Sequence, residues 1–201
     1  ETYNSLGFNT NLIAANEAPK TLNDLLDPKW KGKMASAGTS TGVRWIGSTL
    51  DTRGREFLNK MAAQELTVQN MSGAALAGLV ASGEVPLSPT IFDADVTVAK
   101  QKNAPIQWRA LDPVVTTVGY SGLSSKASHP HAALLFLDYL HGKEGQQLMM
   151  KGGLWSPRDD TGSLDQKFEK LYLDNKYSLD ELEKKLVEWE NLMRQLFVRR
   201  K

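Results

Sequence analysis

The stretch KMASAGTSTGV, residues 33–43, decides the fold class of this chain. Residues 33–37 are small and mostly apolar and predict a short buried strand. Residues 38–42 contain only Gly, Ser and Thr and predict a turn. After the turn, apolar residues recur at helical spacing as far as Met61. We expect the region of Gly54 to divide this segment into two helices. A strand, a tight turn and a helix in this order are typical of α/β folds.

Two further segments repeat this order. Residues 69–74 link a strand at 66–69 to a helix that Ser72 caps and Gly83 ends, and residues 90–94 link a strand at 85–91 to a helix at 93–102. If the strands are parallel, all three turns lie at one edge of the sheet, where ligands bind in open α/β folds. A helix N-terminus there favours anionic groups, because its N–H groups are free and carry partial positive charge.

The rest of the chain alternates strands with helices as far as residue 128 and has a helical pattern afterwards. Further strands are predicted at 8–15, 106–110 and 114–118, and helices at 22–27, 131–141, 143–151, 165–173 and 179–197. This alternation predicts an α/β protein with mostly parallel pairing.

Composition excludes several classes of protein. The 201 residues include 24 Lys and Arg against 23 Asp and Glu, and this balance does not favour nucleic acid as a partner. Cysteine is absent, which excludes a disulfide scaffold, a cysteine nucleophile and thiolate metal sites. Residues 1–11 do not have the pattern of a signal peptide, and no stretch is long and apolar enough to span a membrane.

Each of the three turns has an ordinary explanation and one has a catalytic alternative. Ser40, Ser72 and Asp93 are common N-cap residues, worth about 1 kcal/mol each. The sequence GTSTG also fits the nucleophile elbow of serine hydrolases, with Ser40 as nucleophile and Asp93 and His129 or His131 following in the right order. No oxyanion-loop motif precedes Ser40, so we favour binding over catalysis.

The phrase DLLDPKWKGK, residues 24–33, resembles a phrase common in bacterial extracellular solute-binding proteins of ABC importers. Residues 79–85, 126–140, 153–158 and 177–197 look similar to these proteins too. The resemblance implies the type II periplasmic-binding architecture, an α/β fold of two lobes with a hinge, in the branch that includes ferric-ion-binding proteins. It also implies a non-enzymatic solute carrier without a cofactor, located in the periplasm or tethered outside the cell as a lipoprotein.

The resemblance further implies a division of the chain. Residues 1–21 correspond to the crossover region, 22–111 to a complete second lobe, and 112–201 to the returning part of an incomplete first lobe. We therefore expect that an N-terminal segment is missing, and that a second chain or self-association replaces it. The apolar face of the helix at 179–197 is expected to lack its partner. ABC importer membrane subunits are the other expected partners.

The family's binding positions transfer to particular residues here. The predicted ligand-binding residues, from the three turns and from the return crossover, are Thr39, Ser40, Thr41, Gly42, Val43, Ser72, Gly73, Thr90, Phe92, Asp93 and Tyr120. Iron-binding members present two adjacent tyrosines at about the place where this chain has Phe92, Asp93 and Ala94, with Asp93 and Ala94 in place of the pair. The resemblance therefore favours a small anionic or zwitterionic solute and no metal, with ferric or other metal-ion binding as the alternative.

Overall fold

The computed structural model describes residues 1–162 and 168–198. The strands are β1 (Thr2–Asn9), β2 (Ala35–Ala37), β3 (Thr67–Gln69), β4 (Leu87–Phe92), β5 (Ile106–Arg109), β6 (Val114–Thr117) and β7 (Lys170–Leu171). The α-helices are α1 (Ser40–Ala63), α2 (Gly73–Ser82), α3 (Asp93–Gln101), α4 (Pro130–His141), α5 (Lys143–Lys151) and α6 (Leu179–Phe197). Short 3-10 helices lie at Leu22–Leu26, Pro28–Trp30, Asp159–Thr161 and Leu173–Lys176.

Strand β1 is the centre of the main sheet. It pairs antiparallel with β4 along one edge, and with β6 and then β5 along the other edge. Strand β7 extends the sheet by pairing parallel with β6. The prediction of mostly parallel pairing is therefore wrong, because the central strand runs against three of its neighbours.

Parallel pairing occurs in a second, smaller sheet. Strands β2 and β3 are parallel, and a parallel bridge between Met34 and Leu87 places β2 beside β4. The predicted helix after β2 is confirmed as α1, and Gly54 interrupts it with a φ of 77°, as its position in the sequence indicated. This conformation is one that glycine adopts without strain.

Two predicted segments differ from the observed ones. The strand expected at 8–15 lies earlier, at Thr2–Asn9, because the Asn9 side chain accepts hydrogen bonds from the N–H groups of Asn11 and Leu12 and turns the chain. The expected helix at 165–173 contains strand β7, and its first residues, 165–167, lie outside the described residues. The last third of the chain is therefore not purely helical.

Helix α6 packs on α1, contrary to the expectation that its apolar face lacks a partner. Trp189 is completely buried, and Leu192, Met193 and Phe197 are buried in the same core cluster. Gly47 of α1 lies directly against the Trp189 indole, and a Cβ atom at this position would overlap the ring. Arg44 and Asp174 add an ion pair, with 2.8 Å between Nε and Oδ1.

Helix α4 is an apolar helix whose large side chains are exposed in the described part of the chain. None of its residues in the described structure is fully buried, and Leu134, Leu135 and Phe136 are 50%, 71% and 60% exposed. These three consecutive side chains extend over about 200° of the helix circumference. No helix among the described residues is both long and apolar enough to cross a membrane.

The contact between Gly47 and Trp189 yields a stability prediction. Gly47→Ala forces a methyl group into the buried indole ring, so the free energy of unfolding should fall by about 1–3 kcal/mol. The matched control is Gly78→Ala in α2, where a Cβ atom meets open space and the helix should gain about 0.5–1 kcal/mol. Urea denaturation measures both, and equal effects of the two substitutions would contradict the packing of α6 on α1.

Candidate functional site

The structure brings the three predicted turns together. The Gly38 N–H donates to the Gln69 carbonyl at 2.7 Å, which joins the ends of β2 and β3. The Ala37 N–H donates to Thr90 Oγ1 at 2.9 Å, which joins the ends of β2 and β4. A Cβ atom on Gly73 would lie 3.5 Å from the Phe92 ring. The N-termini of α1, α2 and α3 thus share one region of the surface.

The N-terminus of α1 is the most open of the three to an anion. Thr39 has extended backbone geometry, and within the described residues its side chain does not cap the helix. The N–H groups of Ser40, Thr41 and Gly42 precede the first helical hydrogen bond, which Val43 makes to Thr39 at 3.1 Å. Ser40 is exposed, so an incoming group can approach this turn.

Gly42 has a packing role in addition to its place in this turn. A Cβ atom here would overlap the carbonyl oxygen of Ala37, so the helix can start this close to β2 only with glycine. A larger residue at position 42 disturbs the fold directly. Its effect on ligand binding cannot be separated from that disturbance, and Thr39 is the better position for a test.

The N-terminus of α2 already has polar partners. Ser72 accepts a hydrogen bond from the Ala75 N–H at 3.2 Å. A Cβ atom on Gly73 would lie 3.5 Å from Asp95 Oδ2, so a carboxylate faces this helix end. Burial, and then the neighbouring Asp93 charge, raise the pKa of Asp95. When ionised, Asp95 disfavours a second anion at Ser72 and Gly73.

Asp93 links three parts of the chain. Its carboxylate accepts hydrogen bonds from the Tyr3 N–H of β1, at 2.9 Å, and from the indole N–H of Trp155. Asp93 is 7% exposed, and burial raises its pKa even though these hydrogen bonds lower it. Its two oxygens therefore hold the protein together in this arrangement and do not face a ligand.

Thr90 and Phe92 lie on β4 at the floor of the region. Thr90 is completely buried, and its hydroxyl both accepts from Ala37 and lies 3.2 Å from Ser88 Oγ. Phe92 is half-buried and lies directly opposite Asn4 in the pairing of β4 with β1. Opposed residues in an antiparallel pair place their side chains on the same face of the sheet.

Asn4 is a polar residue of this region that the sequence analysis missed. Its Nδ2 donates to the Thr41 carbonyl in the first turn of α1, at 3.3 Å. Asn4 is 3% exposed, and among the described residues its Oδ1 has no hydrogen-bond donor. The one available signal in the sequence was an asparagine within a strand. The strand that we predicted did not include residue 4, so this signal was missed.

Tyr120 lies at the edge of a cavity of about 370 Å³. Its side chain is 80% exposed, and its hydroxyl donates to Asn175 Oδ1 at 3.3 Å. Thr2 and Thr117, opposed across β1 and β6, line the same cavity. Since side chains alternate along a strand, Thr2 and Asn4 occupy the same face of β1, about 7 Å apart. The cavity therefore reaches the face of β1 that also carries Asn4.

The geometry does not bring together the residues of the serine hydrolase alternative. In the described part of the chain, Ser40 makes no hydrogen bond to a histidine, and His141 pairs with Ser121 at 2.6 Å. His129 and His131 are exposed. Residues 1–162 and 168–198 also contain no group of three His, Cys, Asp or Glu side chains placed to hold a metal ion.

Comparisons with known proteins identify the family and the fold of this chain. Residues 2–185 match the family model described as bacterial extracellular solute-binding protein. No curated protein matches the sequence. Among solved structures, the substrate-binding protein of an ABC transporter from Agrobacterium tumefaciens superimposes with a TM-score of 0.70 at 14% identity, covering 96% of this chain and 66% of that one.

Two other solved structures give similar values. Iron-bound HitA from Pseudomonas aeruginosa has a TM-score of 0.68 at 18% identity, covering 97% of this chain and 67% of its own. AfuA from Actinobacillus pleuropneumoniae, with fructose-6-phosphate bound, has a TM-score of 0.65 at 18% identity, covering 98% and 67%. They share the type II periplasmic-binding fold, and the chain spans about two thirds of their length.

The Asp93–Trp155 hydrogen bond predicts a pH-dependent loss of stability. Trp155→Phe removes a donor to a buried carboxylate, so unfolding should become easier by about 1–3 kcal/mol when Asp93 is ionised. The loss should shrink as the pH falls through the raised pKa of Asp93 in the folded protein towards its unfolded value, near 3.9, because a protonated carboxyl needs the donor less.

Trp108→Phe is the control for this titration. The Trp108 indole donates to the neutral Ile91 carbonyl at 3.1 Å, so its removal should have an effect that does not follow the Asp93 titration. Urea denaturation across pH 3 to 8 compares the two variants. Parallel pH profiles of the two variants would show that the Trp155 indole does not stabilise the ionised Asp93 carboxylate.

Proposed function

Because the chain belongs to the family of bacterial extracellular solute-binding proteins, we propose that it binds a small anionic or zwitterionic solute. Members of this family work outside the cytoplasm with the membrane subunits of ABC transporters. We place this protein in the periplasm, or outside the cell on a lipid anchor, delivering its solute to an importer of that type. It carries out no covalent chemistry in this role.

The observation that carries the proposal is the uncapped N-terminus of α1. A helix end with free N–H groups attracts negative charge. Within the described residues, the Thr39 side chain does not accept a hydrogen bond from these groups. The exposed Ser40 leaves the turn open to a ligand. The anionic group of the solute would therefore bind at residues 39–43, where Thr39, Ser40 and Thr41 can add side-chain hydrogen bonds.

The other predicted ligand-binding residues have different roles in this proposal. Phe92 would contact the body of the solute, and Tyr120 would close over it from the neighbouring cavity. Ser72 and Gly73 form the wall of the site next to Asp95, and Thr90 and Asp93 support that wall from within. Two lobes that close about β1 and the neighbouring β5 and β6 would enclose the solute by hinge motion.

Among ligands named for the solved relatives, a phosphate ester suits this site best. Fructose-6-phosphate carries a dianionic group for the α1 turn and hydroxyl groups for neighbouring side chains. A ferric ion would need several anionic ligands, and the pair of tyrosines expected for iron is replaced by Asp93 and Ala94. Fructose-6-phosphate is therefore the probe for the first test.

The proposed site predicts the effect of a charge at the helix cap. Thr39→Asp places a carboxylate where the solute anion would bind, and it also caps α1. The free energy of unfolding should rise by about 0.5–1 kcal/mol, while affinity for fructose-6-phosphate should fall at least tenfold. Denaturation and isothermal titration calorimetry measure the two quantities.

Ser178→Asp is the matched control for this substitution. Ser178 caps α6, and its neighbour Tyr177 bonds Asp51, about 18 Å along α1 from Thr39. The control adds the same charge to a helix cap and should leave affinity unchanged. If both variants bind fructose-6-phosphate as the parent protein does, the α1 turn is not the anion site.

We also propose that polypeptide outside this chain covers α4. The chain spans 66% of the Agrobacterium tumefaciens structure, so that relative contains further chain able to pack on such a helix. The exposed side chains of Leu134, Leu135 and Phe136 cover too much of the helix circumference for one flat dimer contact to bury all three. A helix that is apolar on most sides is normally packed against protein on several sides. A segment with both strands and helices fits this requirement.

The uncovered helix predicts uneven protection of the 201-residue chain. Amide hydrogens of α4 should exchange much faster than those of α1 and α6, because the latter two bury each other. Sedimentation should show a monomer. A dimer that Leu135→Glu dissociates, and that Val187→Glu at an exposed position of α6 does not, would show that a second copy covers α4 instead.

A further inference from the structure

We propose that Asn4 is a ligand-binding residue that selects solutes with a hydrogen-bond donor beside their anionic group. Its Oδ1 would accept a hydrogen bond from a hydroxyl or ammonium group while the anion lies at the N-terminus of α1. This inference rests on the proposed function, and it names the chemical class of the solute more closely. The solute is a hydroxylated or aminated anion.

The orientation of the Asn4 amide is fixed by its surroundings. Thr41 presents a carbonyl oxygen 3.3 Å from Nδ2, and exchanging the two ends of the amide would place two acceptors against each other. The amide nitrogen must therefore face Thr41, and Oδ1 must point away from it. A donor has to come from elsewhere to satisfy that oxygen.

The other buried asparagine of β1, Asn9, provides a direct comparison for Asn4. Asn9 is 2% exposed, and its amide is fully used. Its Nδ2 donates to the carbonyls of Val80 and Ala81 at 2.8 and 3.0 Å, while its Oδ1 accepts from Asn11 and Leu12. Asn4 is equally buried, yet within the described residues its Oδ1 has no donor. Buried polar atoms without partners are rare in proteins and call for an explanation.

The neighbouring cavity reaches the face of β1 that also carries Asn4. Thr2 lines the cavity and lies two residues from Asn4 on that face. The Asn4 oxygen is enclosed, so a donor that enters beside Thr2 reaches it only when the side chains around it move apart on ligand binding. The amide keeps its orientation in this process, because Nδ2 stays bonded to Thr41.

The test uses two probes and two matched variants. Sulfate carries no proton at neutral pH and offers only an anion, whereas fructose-6-phosphate offers an anion and hydroxyl donors. Asn4→Leu and Asn9→Leu remove the same amide from the same strand. Calorimetry measures the affinity of each protein for each probe, and urea denaturation measures stability.

The proposal expects a particular combination of results. Asn4→Leu should lower affinity for fructose-6-phosphate at least tenfold, leave affinity for sulfate within twofold, and leave the urea midpoint unchanged or higher. The midpoint should not fall, because the removal of an unpartnered buried acceptor offsets the loss of the 3.3 Å hydrogen bond from Nδ2 to Thr41. Asn9→Leu should lower the urea midpoint, because four hydrogen bonds are lost, and leave the affinity of the folded protein for both probes unchanged.

The failures of the two proposals are distinguishable. If the parent protein binds neither probe, the anion site itself is wrong, and the role of Asn4 is wrong with it. If both probes bind the parent protein and Asn4→Leu changes neither affinity, or changes both equally, the anion site stands and the selective role of Asn4 is overturned. A lower urea midpoint of Asn4→Leu with unchanged affinities would assign Asn4 a purely structural role.

Discussion

The burial of β1 is the constraint on which the rest of this structure depends. A strand enclosed from Tyr3 to Asn9 has no water to satisfy its N–H and C=O groups, so protein groups must do so. Three antiparallel neighbours supply most of these partners. Side chains supply others: Asp93 accepts from the Tyr3 N–H, and Ser5 Oγ accepts from Leu111, in the bend between β5 and β6.

The candidate site follows from the same constraint. Strand β4 must lie against β1, β2 is then placed beside β4 and β3 beside β2, so the helices that follow these strands begin close together. Of the three helix ends, two are already associated with carboxylates of the chain, Asp95 and Asp93. The α1 end differs, and the strand that organises the fold places Asn4 directly beneath it.

Local patterns in the sequence were sufficient to predict the elements next to the site. The break at Gly54 and the caps Ser72 and Gly83 of α2 depend on nearby residues, so their spacing predicted them correctly. The other two predicted N-caps were wrong by one residue, because Ser40 and Asp93 are the first helical residues and the N-caps are Thr39 and Phe92. The antiparallel direction of β1, the partner of α6 and the carboxylate beside Gly73 depend on residues far apart in the chain. Neither propensity nor periodicity contains that information, and Asn4 was missed for this reason.

The central position of β1 also affects the order in which the protein can fold. A ribosome produces β1 well before its partners, which lie at residues 87–117. The nascent strand, which carries Leu6 and Phe8, must stay unpaired while the intervening chain is made, since contacts distant in sequence form slowly. The pairing of β1 can therefore be completed only after residue 117 has been made.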